Sequence, residues 1–500
     1  MKLEPLIYEI SSPGRCGVLL PEVDVPLTDL PQELLRDELD LPEVSEVDVI
    51  RHYVRLSHLN YGVDLGFYPL GSCTMKYNPK LNEDAARLPG FAHVHPLLSE
   101  YDTQGALMLM YYLQEWLAEI GGMHAASLQP AAGAHGEFSG ILMIRKYHLD
   151  RGDTKRTKIL IPNSAHGTNP ATVSMAGLEV IELPSDENGD VDLEALRAAC
   201  DDTVAGMMIT VPSTLGLFEG HMLEVIEAVH ACGGLMYMDG ANMNAMMGVL
   251  KPGEIGFDVM HYNLHKTFST PHGGGGPGSG PVACNEKLAP YLPGPIVGMA
   301  EEADDEDLPL FQWVMPEKSI GRVKAFHGNF GMMVRAFTYI RIHGNTGLRN
   351  VTRHAVLNAN YLMARLRDTY KVPYDRYCGH EFVVEGHWKD VPDIHALDIS
   401  KRLMDYGFHP PTNYFPLIVP EALMIEPTET ENLDTLDAFV EAMQAIAKEA
   451  RENPDLLHAA PHSTPVSRVD EVRAAKQLVL CCVPIPDWDE QTPTLKTQPA

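Results

Sequence analysis

Four short apolar runs, each closed by turn-forming residues, constrain this chain more than any other feature. They are Lys158-Ile-Leu-Ile-Pro162, Leu178-Glu-Val-Ile-Glu-Leu183, Gly206-Met-Met-Ile-Thr-Val211 and Gly234-Leu-Met-Tyr-Met238. Helical stretches such as Asp192–Cys200 and Met222–Ala231 lie between them. Runs this apolar are buried on both faces, and their alternation with helices predicts an α/β domain with a largely parallel sheet. Upstream, Asp102 to Ile120 reads as a core helix capped by Asp102 and ended by Gly121-Gly122.

A chain of 500 residues is too long for one compact core. Residues 1–60 are rich in Pro, Asp and Glu and read as an extended arm. Residues 61–330 form the large α/β domain. Residues 331–455 mix helices (Met332–Arg341, Arg349–Tyr370, Asp398–Tyr406, Leu433–Arg451) with a strand at Glu381–Val384, which predicts a smaller α+β domain. Residues 456–500 form a tail whose end, Gln491–Ala500, is expected to be disordered. The formal net charge of -30 argues against nucleic-acid binding, because a phosphate backbone would be repelled. The eight cysteines form no Cys-x-x-Cys, so the usual zinc and redox spacings are missing. With no apolar signal core and no membrane-length apolar run, a cytoplasmic protein is expected.

The chemistry is concentrated after the last of these strands. Phe257–Tyr262 reads as a further strand, Asn263–His272 as a turn containing Lys266, and Gly273–Gly278 as a highly flexible loop. Partial burial just after a strand favours a neutral amine, which carbonyl attack requires, so Lys266 is a good Schiff-base lysine. For an arbitrary lysine, a surface position beside a glycine-rich turn is the better reading, so the segment alone is only suggestive. Gly273-x-Gly275-x-x-Gly278 matches a dinucleotide fingerprint only formally, since Pro277 interrupts it and no helix clearly opens there. His261 and His265 have the spacing of a zinc pair without the glutamate, so no metal is expected.

Asp239 closes the Gly234–Met238 strand, at the carboxyl edge where α/β folds bind ligands. A carboxylate there could keep the pyridine nitrogen of pyridoxal phosphate protonated. It precedes Lys266 by 27 residues, about one strand-to-strand excursion. Gly133 and Ala134 open a helix running to about Leu149, and an N-terminus of this kind can cradle a phosphate. Glu137 would repel that anion, so its side chain is expected to turn away. His166, following the Lys158–Pro162 strand, reaches the same sheet edge and could stack on a cofactor ring.

These segments resemble a known family. Asn263-Leu-His-Lys-Thr-Phe-Ser-Thr-Pro-His-Gly and Tyr68-Pro-Leu-Gly-Ser-Cys-Thr-Met-Lys76 are similar to the P-protein of the glycine cleavage system, glycine dehydrogenase (decarboxylating). Ser127-Leu-Gln-Pro130, Ser164-Ala-His-Gly-Thr-Asn169 and Glu426-Pro-Thr-Glu-Thr430 fit the same pattern, and the match runs from about residue 5 to about 480. That family occurs as one long chain or as two half-length subunits. This chain, with its own Met1, is similar to the second, cofactor-carrying half.

The resemblance implies a fold-type I, aminotransferase-like architecture and pyridoxal 5'-phosphate held as a Schiff base by Lys266. It further implies decarboxylation of glycine, with transfer of the aminomethyl group to the oxidised lipoyl arm of the H-protein. A heterotetramer of two copies each of this subunit and subunit 1 is implied too. Carried onto this sequence, the catalytic candidates are Lys266, His166 and Asp239. The cofactor-binding set adds Ala241 on the opposite ring face, Gly133 and Ala134 at the phosphate, Thr214 near the phenolic oxygen, and His265. Ala131-Ala132 depart from the expected Asn-Ser, and Glu254 from Asp. Two alternatives remain open: another fold-type I enzyme, either an amino-acid decarboxylase or an aminotransferase, and a non-catalytic scaffolding half.

Overall fold

The computed structural model describes residues 3–37, 39, 41–272, 278–300 and 310–478. Its contacts divide the chain into two units, Met1–Gly62 with Ala459–Ala500 and Val63–His458. The first unit is mostly extended at its start, but the segment expected as an arm also holds a helix, Glu46–Ser57. Ser45 and Asp48 explain it: each side chain bonds the other's backbone N–H, a reciprocal cap that a reading by proline content overlooks. The tail likewise has a short helix at Glu471–Lys476, while the Pro454–His458 helix closes the second unit. Cys481, Cys482, the segment 273–277 expected to be a flexible loop, and Gln491–Ala500 lie outside the described residues.

The second unit is built on a seven-stranded sheet. Its strands are β1 (Ala125–Ser127), β2 (Lys158–Pro162), β3 (Glu179–Leu183), β4 (Val204–Thr210), β5 (Leu235–Asp239), β6 (Val259–His261) and β7 (Val282–Cys284), in the order β1-β7-β6-β5-β4-β2-β3. The neighbours from β3 to β6 are parallel, and only β7 runs against the rest, pairing antiparallel with β6 and β1. The central strands are buried on both sides, as their unbroken apolar runs require. Met207, Ile209, Met236 and Met238 share a core with Leu113 and Leu117 of the Gln104–Gly121 helix. The alternate residues Met208, Leu235 and Tyr237 pack with Ile141 and Ile144 of the Gly133–Asp150 helix. Period-two alternation thus feeds two layers of helix from one sheet.

The Gln104–Gly121 helix ends on left-handed Gly122, but Asp102 does not cap it; that carboxylate accepts from the Ser99 hydroxyl within a preceding 3-10 turn. The two helices expected at 332–341 and 349–370 are one element, Phe330–Leu366, interrupted only at Gly344, whose φ of 55° departs from helical geometry. A ribbon of β8 (Ile296–Met299) and β9 (Phe311–Val314) has no counterpart in the sequence reading.

A second sheet joins β10 (Phe382–Glu385), β11 (Thr412–Asn413) and β12 (Ala422–Ile425), all antiparallel, in the order β10-β12-β11. Phe382, Val384, Leu423 and Ile425 face the Ala396–Asp405 and Leu433–Glu452 helices through Ile399, Leu403, Leu436 and Phe439. Val383, Ala422 and Met424 instead pack on Leu215 and Leu217, in the loop that follows β4. That contact seats the small sheet beside the carboxyl ends of the large one. Among the described residues, no helix is long and apolar enough to cross a membrane.

Candidate active site

A cavity of about 280 Å³ opens at the carboxyl ends of β2, β4 and β5. Lys266, Asp239, His166, Ala241, Gly133, Ala134, Thr214 and His265 all line it. Chain segments from residue 133 to residue 266 therefore converge on one space, as parallel strands sharing one edge require.

Lys266 sits on a turn held by side chains rather than by regular structure. Its neighbour Thr267 accepts from the Met243 N–H at 2.8 Å, and Ser269 donates to the Tyr77 carbonyl at 2.7 Å. The backbone N–H of Asn263 donates to Ala241, tying the start of this turn to the segment after β5. Lys266 itself is half-buried and lines the cavity.

Asp239 is fixed by four groups. Asn169 Nδ2 and the Ala241 N–H donate at 3.1 Å each, Thr210 Oγ1 lies at 3.5 Å, and His261 Nε2 lies at 3.5 Å. Burial alone would raise its carboxyl, but the nearby charges of His261 and Lys266 and the two donors hold it below the usual carboxylate value. It is thus a buried anion aimed into the cavity.

The Gly133–Asp150 helix begins at the cavity wall with no side-chain cap, leaving its first N–H groups for a ligand. A Cβ on Gly133 would lie 2.4 Å from Asn263 Oδ1, so a larger residue at the helix's first position would have to push that amide aside. That oxygen is itself buried without a partner. Glu137, expected to turn away, does line the cavity; its oxygens are engaged by the hydroxyls of Thr168 at 2.9 Å and Thr172 at 3.2 Å. Two hydroxyl donors disperse its charge without moving it off the wall.

The remaining candidates differ in how free they are. His166 shares Nδ1 with Thr168 Oγ1 at 2.9 Å and meets Phe415 edge-on. Thr214 donates its hydroxyl to the Ser164 carbonyl at 2.7 Å, so its proton is already committed. Burial pushes the His265 imidazole down to about 3, and His272 meets its ring edge-on. His265 is a neutral wall.

Ser72, Asn263, His380 and Glu381 also line the cavity and were not among the candidates. Ser72 donates its N–H to Glu381 Oε2 at 2.7 Å across 309 positions of sequence. Just behind, Thr74 bonds Glu426 through both its N–H and its hydroxyl. Ser72 and Thr74 both take left-handed φ angles, 65° and 50°, a cost these two carboxylates offset. The Tyr68–Lys76 and Glu426–Thr430 motifs carried the sequence signal for this corner, with no indication that they touch each other.

Comparison with known proteins agrees with the geometry. The family model described as glycine cleavage system P-protein matches residues 89–405, and one described as glycine dehydrogenase, C-terminal domain, matches residues 351–462. The chain is 58% identical over 485 residues to a probable glycine dehydrogenase (decarboxylating) subunit 2 of Caldanaerobacter subterraneus subsp. tengcongensis, covering 95% of this chain and 98% of that protein. It is 55% identical to a protein of the same description from Listeria innocua, covering 95% and 97%. A crystal structure of glycine decarboxylase (P-protein) in inhibitor-bound form superposes with a TM-score of 0.70 at 22% identity, covering 83% of this chain and 93% of that one. The glutamate decarboxylase of Lactobacillus brevis superposes at 0.62 and 15% identity, covering 85% and 96%. The architecture is accordingly that of the fold-type I pyridoxal-phosphate enzymes: an α/β large domain with a smaller C-terminal α+β part. By its matches over nearly the whole chain, this protein belongs to the glycine cleavage system P-protein family.

Proposed function

We propose that this chain is the pyridoxal-phosphate-carrying half of a glycine decarboxylase, acting with a partner subunit 1 and a lipoylated H-protein. In this reading it removes carbon dioxide from glycine and passes the aminomethyl group to the oxidised lipoyl arm. The observation that carries it is the meeting of Lys266, Asp239 and an uncapped helix N-terminus in one cavity, in a member of this family. The donor set fits the cofactor. An amine, a buried anion and free N–H groups suit an aldehyde, a protonated pyridine nitrogen and a phosphate in turn.

Pyridoxal phosphate, when bound, supplies the electron sink that makes loss of carbon dioxide from glycine accessible. Lys266 would hold its aldehyde carbon through the side-chain amine, and Asp239 would hold the proton on the ring nitrogen. His166 would cover one ring face and Ala241 the other, while Gly133 and Ala134 would donate to the phosphate. Thr214 is a weaker partner for the phenolic oxygen, because its hydroxyl donates to Ser164. His265 would pack as a neutral neighbour of Lys266. A heterotetramer of two copies of each subunit and a cytoplasmic location complete the reading.

The test is glycine-dependent bicarbonate exchange by the chain co-expressed with its partner subunit, in the presence of H-protein. Exchange should exceed transamination of larger amino acids. Lys266→Ala should abolish both exchange and the visible absorbance band of the bound cofactor; a variant that kept the band would sink the lysine assignment.

A further inference from the structure

We infer that His380 and Glu381 form the subsite for the substrate's carboxylate, a pair of neutral donors standing where a permanent cation would otherwise be expected. The inference rests on the glycine-decarboxylating reading above and deepens it. Among the described residues lining the cavity there is no arginine, and the one side-chain ammonium is Lys266, which that reading commits to the cofactor. An anionic substrate group must then be received by uncharged N–H and O–H donors.

His380 is 1% exposed, faces the cavity, and has no hydrogen-bond partner on either ring nitrogen. A buried polar group left open in this way awaits a ligand. Its Nε2 lies 3.6 Å from Glu381 Oε1, so the two side chains stand together. Burial, assisted by the charge of Lys266, pushes the imidazole down to about 3, which leaves one ring N–H as a neutral donor.

Glu381 is placed by close backbone packing. Gly216, at φ 77°, lies so near that a Cβ there would sit 1.9 Å from the Glu381 carbonyl oxygen. One oxygen of its carboxyl accepts from Ser72 N–H, and the other faces His380. Glu426 stands behind, with ligating atoms of His380, Glu381 and Glu426 all within 4.8 Å of one another. Burial raises the Glu426 carboxyl, but it takes more donors than Glu381, from Thr74 N–H, Thr74 Oγ1 and Asn242 Nδ2, which oppose that rise. The groups facing Glu381 are Glu426, Lys266, His380 and the thiols of Cys73 and Cys378. Burial and then Glu426 push the Glu381 carboxyl up to about 8, against the opposing pull of Ser72 and Lys266. At neutral pH it is therefore an O–H donor.

A neutral subsite suits this reaction. A guanidinium would stabilise the carboxylate most before reaction and least as carbon dioxide leaves, which adds to the barrier. Two neutral donors orient the group while leaving it poorly solvated.

The test titrates the cofactor-loaded holoenzyme with glycine and with methylamine, an amine without a carboxylate, following the visible absorbance. Glu381→Ala and His380→Ala should weaken glycine binding by roughly 10-fold to 100-fold, the loss of a hydrogen bond to a charged group, and leave methylamine binding unchanged. Glu381→Gln, which keeps a neutral donor, should restore most of the glycine affinity. It should also remove the weakening expected of the wild type as pH rises through about 8. Equal losses for glycine and methylamine in both alanine variants, or a glutamine variant no better than the alanine one, would overturn the subsite alone. Loss of glycine binding on chelation would place a cation among the three groups and also overturn it. A wild-type absorbance unmoved by either amine would overturn the glycine-decarboxylating reading, and the subsite with it.

Discussion

Asp239 and Glu381 are two carboxyls on the wall of one cavity, 3% and 4% exposed, and they end in opposite charge states. Burial is the same for both, so burial does not decide between them. Their neighbours do. Asp239 lies at the end of β5, where adjacent strands and the Thr168–Met175 helix supply Asn169, Ala241, Thr210 and His261, with Lys266 close by. Glu381 precedes β10 and receives one backbone donor, with a second carboxyl, Glu426, within 4.8 Å. The large sheet thus presents an anion and the small sheet a neutral acid to the cavity that Lys266 also lines. In the proposed reading, that pairing serves a cofactor ring that must stay protonated and a substrate that must lose its carboxylate.

The comparison breaks first at Asp239. Asp239→Asn removes the anion while keeping the shape, and should retain bound cofactor by absorbance yet lose glycine exchange by about 100-fold or more. Near-wild-type turnover would show that the anion is dispensable. Glu426→Gln sharpens the other side. Without the second carboxyl, Glu381 should ionise at lower pH, so the alkaline weakening of glycine binding should move downward; an upward or absent movement would deny the pairing.

The two carboxyls should also leave opposite marks on stability. A depressed carboxyl such as Asp239 stabilises above its unfolded value and loses that contribution in acid. A raised one such as Glu381 contributes fully below its unfolded value and loses it as pH rises through about 8. Thermal melts of Glu381→Gln should therefore gain on wild type as pH is raised through that window, and a constant gap would contradict the sign. The smallest effect is expected at Thr74→Ala, which removes a hydroxyl donor from buried Glu426 and should cost roughly 1–3 kcal/mol in a denaturant titration, with the cofactor still bound.

Different parts of the molecule were legible to different degrees. β4 and β5 announced themselves because strands buried on both faces must be apolar throughout, and the Met222–Ala231 helix was read to the residue. β1 and β7 did not: three residues such as Ala125-Ala-Ser127 or Val282-Ala-Cys284 carry no period. The Glu46–Ser57 helix was hidden by the proline-rich sequence before it, although its Ser45/Asp48 cap is a local signal. Asp102 failed as a cap because Ser99 offered its carboxylate a nearer partner.

Lys266, Asp239, His166 and Gly133 could be named from sequence because each lies just beyond a strand or at a helix start, and parallel strands deliver such positions to one edge. Strand order and edge are local consequences of apolar pattern, so the chain by itself determined the large sheet and the residues along its rim. His380, Glu381 and Glu426 are another matter. They come from the small sheet, and Thr74 reaches Glu426 across 352 positions. Which donors surround a buried carboxyl depends on how Val383 and Met424 pack on Leu215 and Leu217, a contact between distant segments with no local signature. Only the tertiary structure decided which carboxyl keeps its proton, because charge in a buried site is settled by neighbours that sequence distance conceals.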